Sequence, residues 1–145
     1  MGEFGCPTGW PGLAGQPAEA EELMVMRDIA LVRMTGAHLH FQHLSTASSV
    51  AMVRGAKAAG LPVTAEATTH HFILTDAACA SYDPVFKVHP PVRADVDVRA
   101  IREGLADGTI DMIATEDPAG AQLIDPNLRV FSVDDYLAGD GVCTE

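Results

Sequence analysis

The feature that most constrains this chain is an alternation. Short apolar runs, each ending abruptly in polar or imidazole side chains, are separated by stretches with helical spacing. The sharpest instance is Gly36-Ala37-His38-Leu39-His40-Phe41-Gln42-His43-Leu44-Ser45-Thr46, which holds half of the six histidines of the sequence. It reads as a buried strand over residues 38–44. In an ideal strand His38 and His40 share one face and His43 the other, so those two are expected to pack or to face a helix. Before it, Pro17 opens a helix whose first turns carry Glu19, Glu21 and Glu22, as the helix dipole favours. Leu23, Met26, Ile29, Ala30 and Met34 follow at helical spacing, and Gly36 is a C-terminal stop.

The same grammar continues downstream. Ser45 or Thr46 can cap a helix over 47–59 closed by Gly60. A β-branched strand follows at 63–67, with Thr68-Thr69-His70-His71 at its end. A short helix (75–82) and a short strand (85–88) precede His89-Pro90-Pro91, where neither element can continue. A helix over 95–106 places Val96, Ile101 and Leu105 on one side. Asp107-Gly108 turns into a strand at 110–114 that ends in Thr115-Glu116-Asp117-Pro118, and a further strand is possible at 128–133. Alternating elements with short connections predict a parallel sheet wrapped by helices, an α/β fold. No glycine-rich phosphate fingerprint follows any strand.

Composition narrows the function classes. With 145 residues, 48% of them hydrophobic and 20% charged, the chain has the make-up of one globular domain. Its net charge of −11 argues against nucleic acid and anionic membrane surfaces as partners. Three scattered cysteines, Cys6, Cys79 and Cys143, without a CxxC spacing, read as reduced thiols in a cytoplasmic protein. Residues 1–18 form a Gly/Pro-rich loop, and its single tryptophan, Trp10, calls for a partner surface.

In a parallel sheet the C-terminal strand ends lie on one side. There they would gather His43, His70, His71, His89, Glu116 and Asp117, residue types suited to a divalent metal such as zinc. A metal-activated water and a carboxylate base is the usual apparatus for amide hydrolysis. The alternative is that these are hydrogen-bonded or surface histidines and a turn, and composition alone leaves both readings open. His70 and His71 are adjacent, so both cannot point into one site.

Several stretches jointly resemble bacterial class I dihydroorotase, of the amidohydrolase superfamily: 17–22 running into 26–30, Gln42-His43-Leu44-Ser45-Thr46-Ala47, Thr64-Ala65-Glu66-Ala67-Thr68-Thr69-His70-His71, Phe86-Lys87-Val88-His89-Pro90-Pro91-Val92-Arg93 and 102–111. The resemblance covers roughly residues 12–117. It implies a partial (β/α)8 TIM barrel, from about the sixth strand onward, and therefore an incomplete barrel with open edges. It implies a zinc amidohydrolase of pyrimidine biosynthesis that interconverts N-carbamoyl-L-aspartate and L-dihydroorotate. By position, His43 falls on the zinc-ligand histidine of the sixth strand. Glu116 falls on the catalytic, metal-binding aspartate of the eighth, and His89 on an asparagine that contacts substrate. The His70-His71 pair matches a family feature that is not assigned to the metal.

The departures are equally specific. The family's first-strand His-x-His pair, bridging carboxylate and fifth-strand histidine have no counterpart here. Its Asp-His-Ala-Pro-His aligns with Glu116-Asp117-Pro118-Ala119-Gly120. Zinc is thus expected in the family but not to be held stably by this chain alone, which is expected to be inactive. The resulting division is a loop at 1–18, a partial barrel at 19–117 and, at 118–145, a tail resembling part of a C-terminal small β-domain. Two alternatives follow from the lost ligands: a non-catalytic scaffold partner of aspartate transcarbamoylase, self-association through the open barrel face being a further possibility, or a non-functional gene fragment.

Overall fold

The computed structural model describes residues 15–114. Residues 1–14 of the loop expected at 1–18, Trp10 among them, Glu116 and the tail therefore lie outside the described residues, while Ala18 already belongs to the first helix. Seven regular elements follow one another: α1 (Ala18–Thr35), β1 (Leu39–Phe41), α2 (Ala47–Ala58), β2 (Val63–Thr68), α3 (Thr69–Ile73), α4 (Asp95–Ala106) and β3 (Met112–Ala114). The strands form a parallel sheet in the order β1-β2-β3, with Leu39 opposite Val63 and Glu66 opposite Met112. Helices connect them, as parallel pairing demands, so the strand ends that follow Phe41, Thr68 and Ala114 share one side of the sheet.

Val50, Val53 and Ala56 of α2 pack with Ala65 and Ala67 of β2, and Ile101 of α4 and Ile110 complete the core. Gly104 lets α4 approach closely, because a Cβ there would stand 3.0 Å from Val50 Cγ1 and 3.1 Å from Ile110 Cδ1. α1 packs along α2 through Val25, Ile29 and Val32. Leu23, Met24, Met26, Leu31 and Met34 stay exposed. Only part of the helical spacing read in α1 thus reports burial within the described residues: the helix is apolar on several sides, and one stripe is covered.

Three local expectations are corrected. The segment at 85–88 is not a strand; Pro84–Phe86 forms a 3-10 turn, with Asp83 Oδ1 accepting from Val85 N at 3.0 Å. Among the described residues no strand pairs with its β-branched residues, and the turn chemistry of Asp-Pro prevails. The helix expected at 75–82 is a 3-10 helix, Asp76–Ser81, preceded by the unforeseen α3. In α4 the buried stripe is Val98, Ile101 and Gly104, while Val96 is exposed.

Candidate metal-ligand site at the strand ends

β1 ends earlier than alternation suggests, and this determines the geometry of the site. Only Leu39–Phe41 is strand, and His43 has a φ of 53°, in the left-handed region that a β-carbon disfavours. The bend removes the alternation beyond Phe41. His40 and His43, expected on opposite faces, both reach Glu66 of the central strand. His40 Nε2 lies 3.1 Å from Glu66 Oε2, and His43 Nδ1 lies 3.1 Å from Glu66 Oε1. The second contact has hydrogen-bond length but poor alignment. Leu44 N donates to the Glu66 carbonyl at 3.0 Å, which fixes the backbone just past the bend. His40 is thus not a helix-facing residue: its other nitrogen, Nδ1, meets Thr64 Oγ1 at 2.8 Å. His38 is exposed.

Glu66 is 6% exposed, and burial alone would raise its carboxyl. The hydrogen bonds and charge attraction of His40 and His43 outweigh burial and hold it down at about 2. Sequence reading passed over this residue. The available signal was a glutamate inside an otherwise apolar strand, where a buried carboxylate needs a partner.

A second imidazole centre sits one strand-end away. His71, 3% exposed, receives a hydrogen bond from the Thr68 hydroxyl on Nδ1 at 2.6 Å and donates from Nε2 to the Pro90 carbonyl at 2.8 Å. The carbonyl only accepts, so the proton is on Nε2 and the threonine must donate to Nδ1. Thr68 Oγ1 in turn accepts from His70 Nε2 at 2.9 Å. Burial first, and the charge of His70 second, lower His71 to about 3. Both nitrogens of His71 are committed inside the protein, so it bridges the end of β2 to the loop before α4. That loop carries His89, which is exposed.

The turn after His43 is anchored from three sides. Glu21 of α1 accepts from Ser45 N at 3.0 Å, from Thr46 N at 3.2 Å and from the Ser45 hydroxyl. Arg93 Nε donates to Ser45 Oγ at 3.2 Å and Nη1 donates to the Gln16 carbonyl at 2.8 Å. Thr46, rather than Ser45, caps α2 by accepting from Ser49 N. Glu21, read from sequence as a dipole-matching residue, is thus a tertiary clamp.

Of the residues singled out by position, His43 stands at a strand end against a buried carboxylate, His89 is exposed in a neighbouring loop, and Glu116 lies outside the described residues. Among the described residues no group of three or more His, Cys, Asp or Glu could hold a metal ion. A catalytic zinc needs three protein ligands, so His43 fits as one ligand while the described residues do not make a complete site.

The fold is similar to the L-hydantoinase (dihydropyrimidinase) of Arthrobacter aurescens, with a TM-score of 0.65 at 28% identity over 69% of this chain and 22% of that one. It is likewise similar to the dihydropyrimidinase of Brevibacillus agri, with a TM-score of 0.61 at 26% identity over 68% of this chain and 22% of that one. The chain is a partial barrel of the cyclic-amidohydrolase type. In sequence it is 59% identical to the dihydroorotase of Pelotomaculum thermopropionicum over 72% of its length and 25% of the relative's. It is 55% identical to that of Streptomyces coelicolor over 72% of its length and 24% of the relative's. No family model matches. The chain belongs with the dihydroorotases, and it spans about a quarter of the length of the curated relatives it matches. No helix among the described residues is long and apolar enough to cross a membrane.

Proposed function

We propose that the chain is a piece of a dihydroorotase-type zinc amidohydrolase, acting in the reversible cyclisation of N-carbamoyl-L-aspartate to L-dihydroorotate. The observation that carries this is His43: an imidazole at a parallel-strand end, in a strained backbone conformation, with Nδ1 against a buried carboxylate. Strain of this kind persists where surrounding structure enforces it, and it clusters at functional sites. A histidine backed by a carboxylate is the usual arrangement of a metal ligand. In that role His43 contributes one ligand, and Glu116, by its position in the family, contributes a second together with proton transfer. His89 takes the place of a substrate-contacting asparagine. A zinc ion in such a site supplies Lewis acidity to the amide.

What this chain's own residues do is hold geometry. Glu66 orients His43, the Glu21–Ser45–Arg93 network fixes the turn behind it, and His71 ties down the loop bearing His89. One histidine and one carboxylate are too few for catalytic zinc, so the chain alone is inactive and the remaining ligands come from further polypeptide. β1 and β3 are the edges of the described sheet, and a groove of about 430 Å³ runs beside β1 between Met24, Val25, Leu39 and Phe41. These surfaces suit a neighbouring barrel unit.

The test is complementation. Purified chain is mixed with a polypeptide supplying the first five barrel strands of a dihydroorotase, plus zinc, and dihydroorotate hydrolysis is followed. Turnover that needs both parts and is abolished by His43→Ala supports the proposal; no turnover from a stably assembled mixture refutes it. A second reading is favoured by the exposed apolar residues of α1, Leu23, Met26 and Met34: a non-catalytic scaffold that binds aspartate transcarbamoylase or a second copy. Co-purification with a transcarbamoylase and no turnover under complementation would select it.

A further inference from the structure

We propose that Glu66 is a positioning residue that fixes His43 in the tautomer with its proton on Nδ1, and that His40 steadies the carboxylate from its other oxygen. The inference gives detail to the metal-ligand role of His43 and rests on that role for its purpose.

The assignment follows from donors and acceptors. A carboxylate accepts and does not donate. Glu66 presents one oxygen to each imidazole, Oε2 to His40 Nε2 and Oε1 to His43 Nδ1, both at 3.1 Å. A nitrogen lone pair aimed at a carboxylate oxygen at that distance is repelled, whereas an N–H is attracted even where the alignment is poor. Each of these two nitrogens therefore bears the proton. In a neutral ring His40 Nδ1 is then the lone-pair nitrogen, and Thr64 Oγ1, 2.8 Å away, has the hydroxyl proton to give it. Proton on Nδ1 leaves the lone pair of His43 on Nε2, the form in which an imidazole ligates a metal through Nε2.

The backbone supports the same assignment. Glu66 is held in the central strand, buried at 6% exposure. Its carbonyl accepts from Leu44 N at 3.0 Å while its side chain meets the His43 ring. One residue thus grips both the chain and the ring at the left-handed bend. Thr64 and Glu66 share a face of β2 and engage the two ends of the His40 ring, so His40 spans them as a strut. This gives His40 a task that an ideal-strand reading denies it.

Long-range proton–nitrogen correlation spectra of the uniformly labelled full chain at neutral pH report the tautomer of each histidine. The expected result is a neutral ring with Nδ1–H for His43 and a neutral ring with Nε2–H for His40; a doubly protonated His43 overturns the proposal. In Glu66→Gln the amide offers one acceptor and one donor, so one of the two rings must switch tautomer while backbone amide shifts away from the cluster stay in place. Nε2–H at His43 in the natural chain overturns the proposal, as does a folded Glu66→Gln in which both rings keep their tautomers. Should Glu66→Gln fail to fold, the spectrum of the natural chain decides by itself. Neither zinc nor substrate enters this measurement. Its failure therefore leaves the dihydroorotase chemistry standing, and failure of complementation leaves the tautomer standing.

Discussion

His43 and His71 lie at the ends of neighbouring parallel strands, and each meets a polar group of the central strand. They differ in what faces them. His71 gives one nitrogen to a hydroxyl and the other to a carbonyl, and burial keeps it neutral. His43 turns Nδ1 to a carboxylate and sits in a left-handed backbone conformation. The first arrangement consumes the imidazole in holding two segments together. The second orients an imidazole through its Nδ1 side, the arrangement the proposed ligand role requires. Position at a strand end is common to both, so partner chemistry, more than location, separates a tie from a ligand.

Substitutions separate the two histidines. His71→Ala removes a buried ring and leaves the Pro90 carbonyl without its donor, which should cost about 3 kcal/mol in urea unfolding. Thr68→Val deletes the donor to Nδ1 and should cost about 2 kcal/mol. His43→Gly, by contrast, loses the contact to Glu66 but relieves the left-handed strain, and its stability should fall within about 1 kcal/mol of the parent. A cost at His43 equal to that at His71 would erase the distinction.

Acidity sharpens it further. His71 has its ordinary value near 6.5 when unfolded and about 3 when folded, so the unfolded chain binds the extra proton in that window. Stability therefore rises with pH there: it is fully present above about 6.5 and is lost as pH falls toward about 3. In His71→Leu that contribution disappears, and the acid limb of a stability-against-pH curve should be shallower. An unchanged limb would show that His71 does not titrate across the transition. The smallest effect is expected at His38, exposed beside the same strand: His38→Ala should change stability by less than about 0.5 kcal/mol.

Much of the frame was legible in the sequence because it rests on local rules. The helix over 95–106 and the strands leading toward His43 and His71 follow from spacing, caps and β-branched runs, although β1 stops at Phe41 and His71 lies in α3. Less legible was whatever depends on a partner distant in sequence. Glu66 and His40 acquire their meaning from each other, and Glu21 from Ser45 and Thr46. The bend at His43 defeats alternation because a positive φ in a histidine leaves no mark in hydrophobic periodicity. The segment 85–88 reads as strand because β propensity reports only that a residue would suit a sheet, and here Asp83-Pro84 makes a turn. The exposed stripe of α1 was hidden for a related reason, since an apolar residue does not announce which neighbour it faces.

The described residues do not complete a metal site around His43, where no group of three or more His, Cys, Asp or Glu could hold a metal ion. Calorimetric titration of zinc into the purified chain at neutral pH, beside His43→Ala, tests that incompleteness most directly. The expected result is no tight one-to-one binding by the chain and no difference between the two proteins. Stoichiometric, tight zinc binding that vanishes in His43→Ala would contradict the incompleteness of the site while showing His43 to be a ligand.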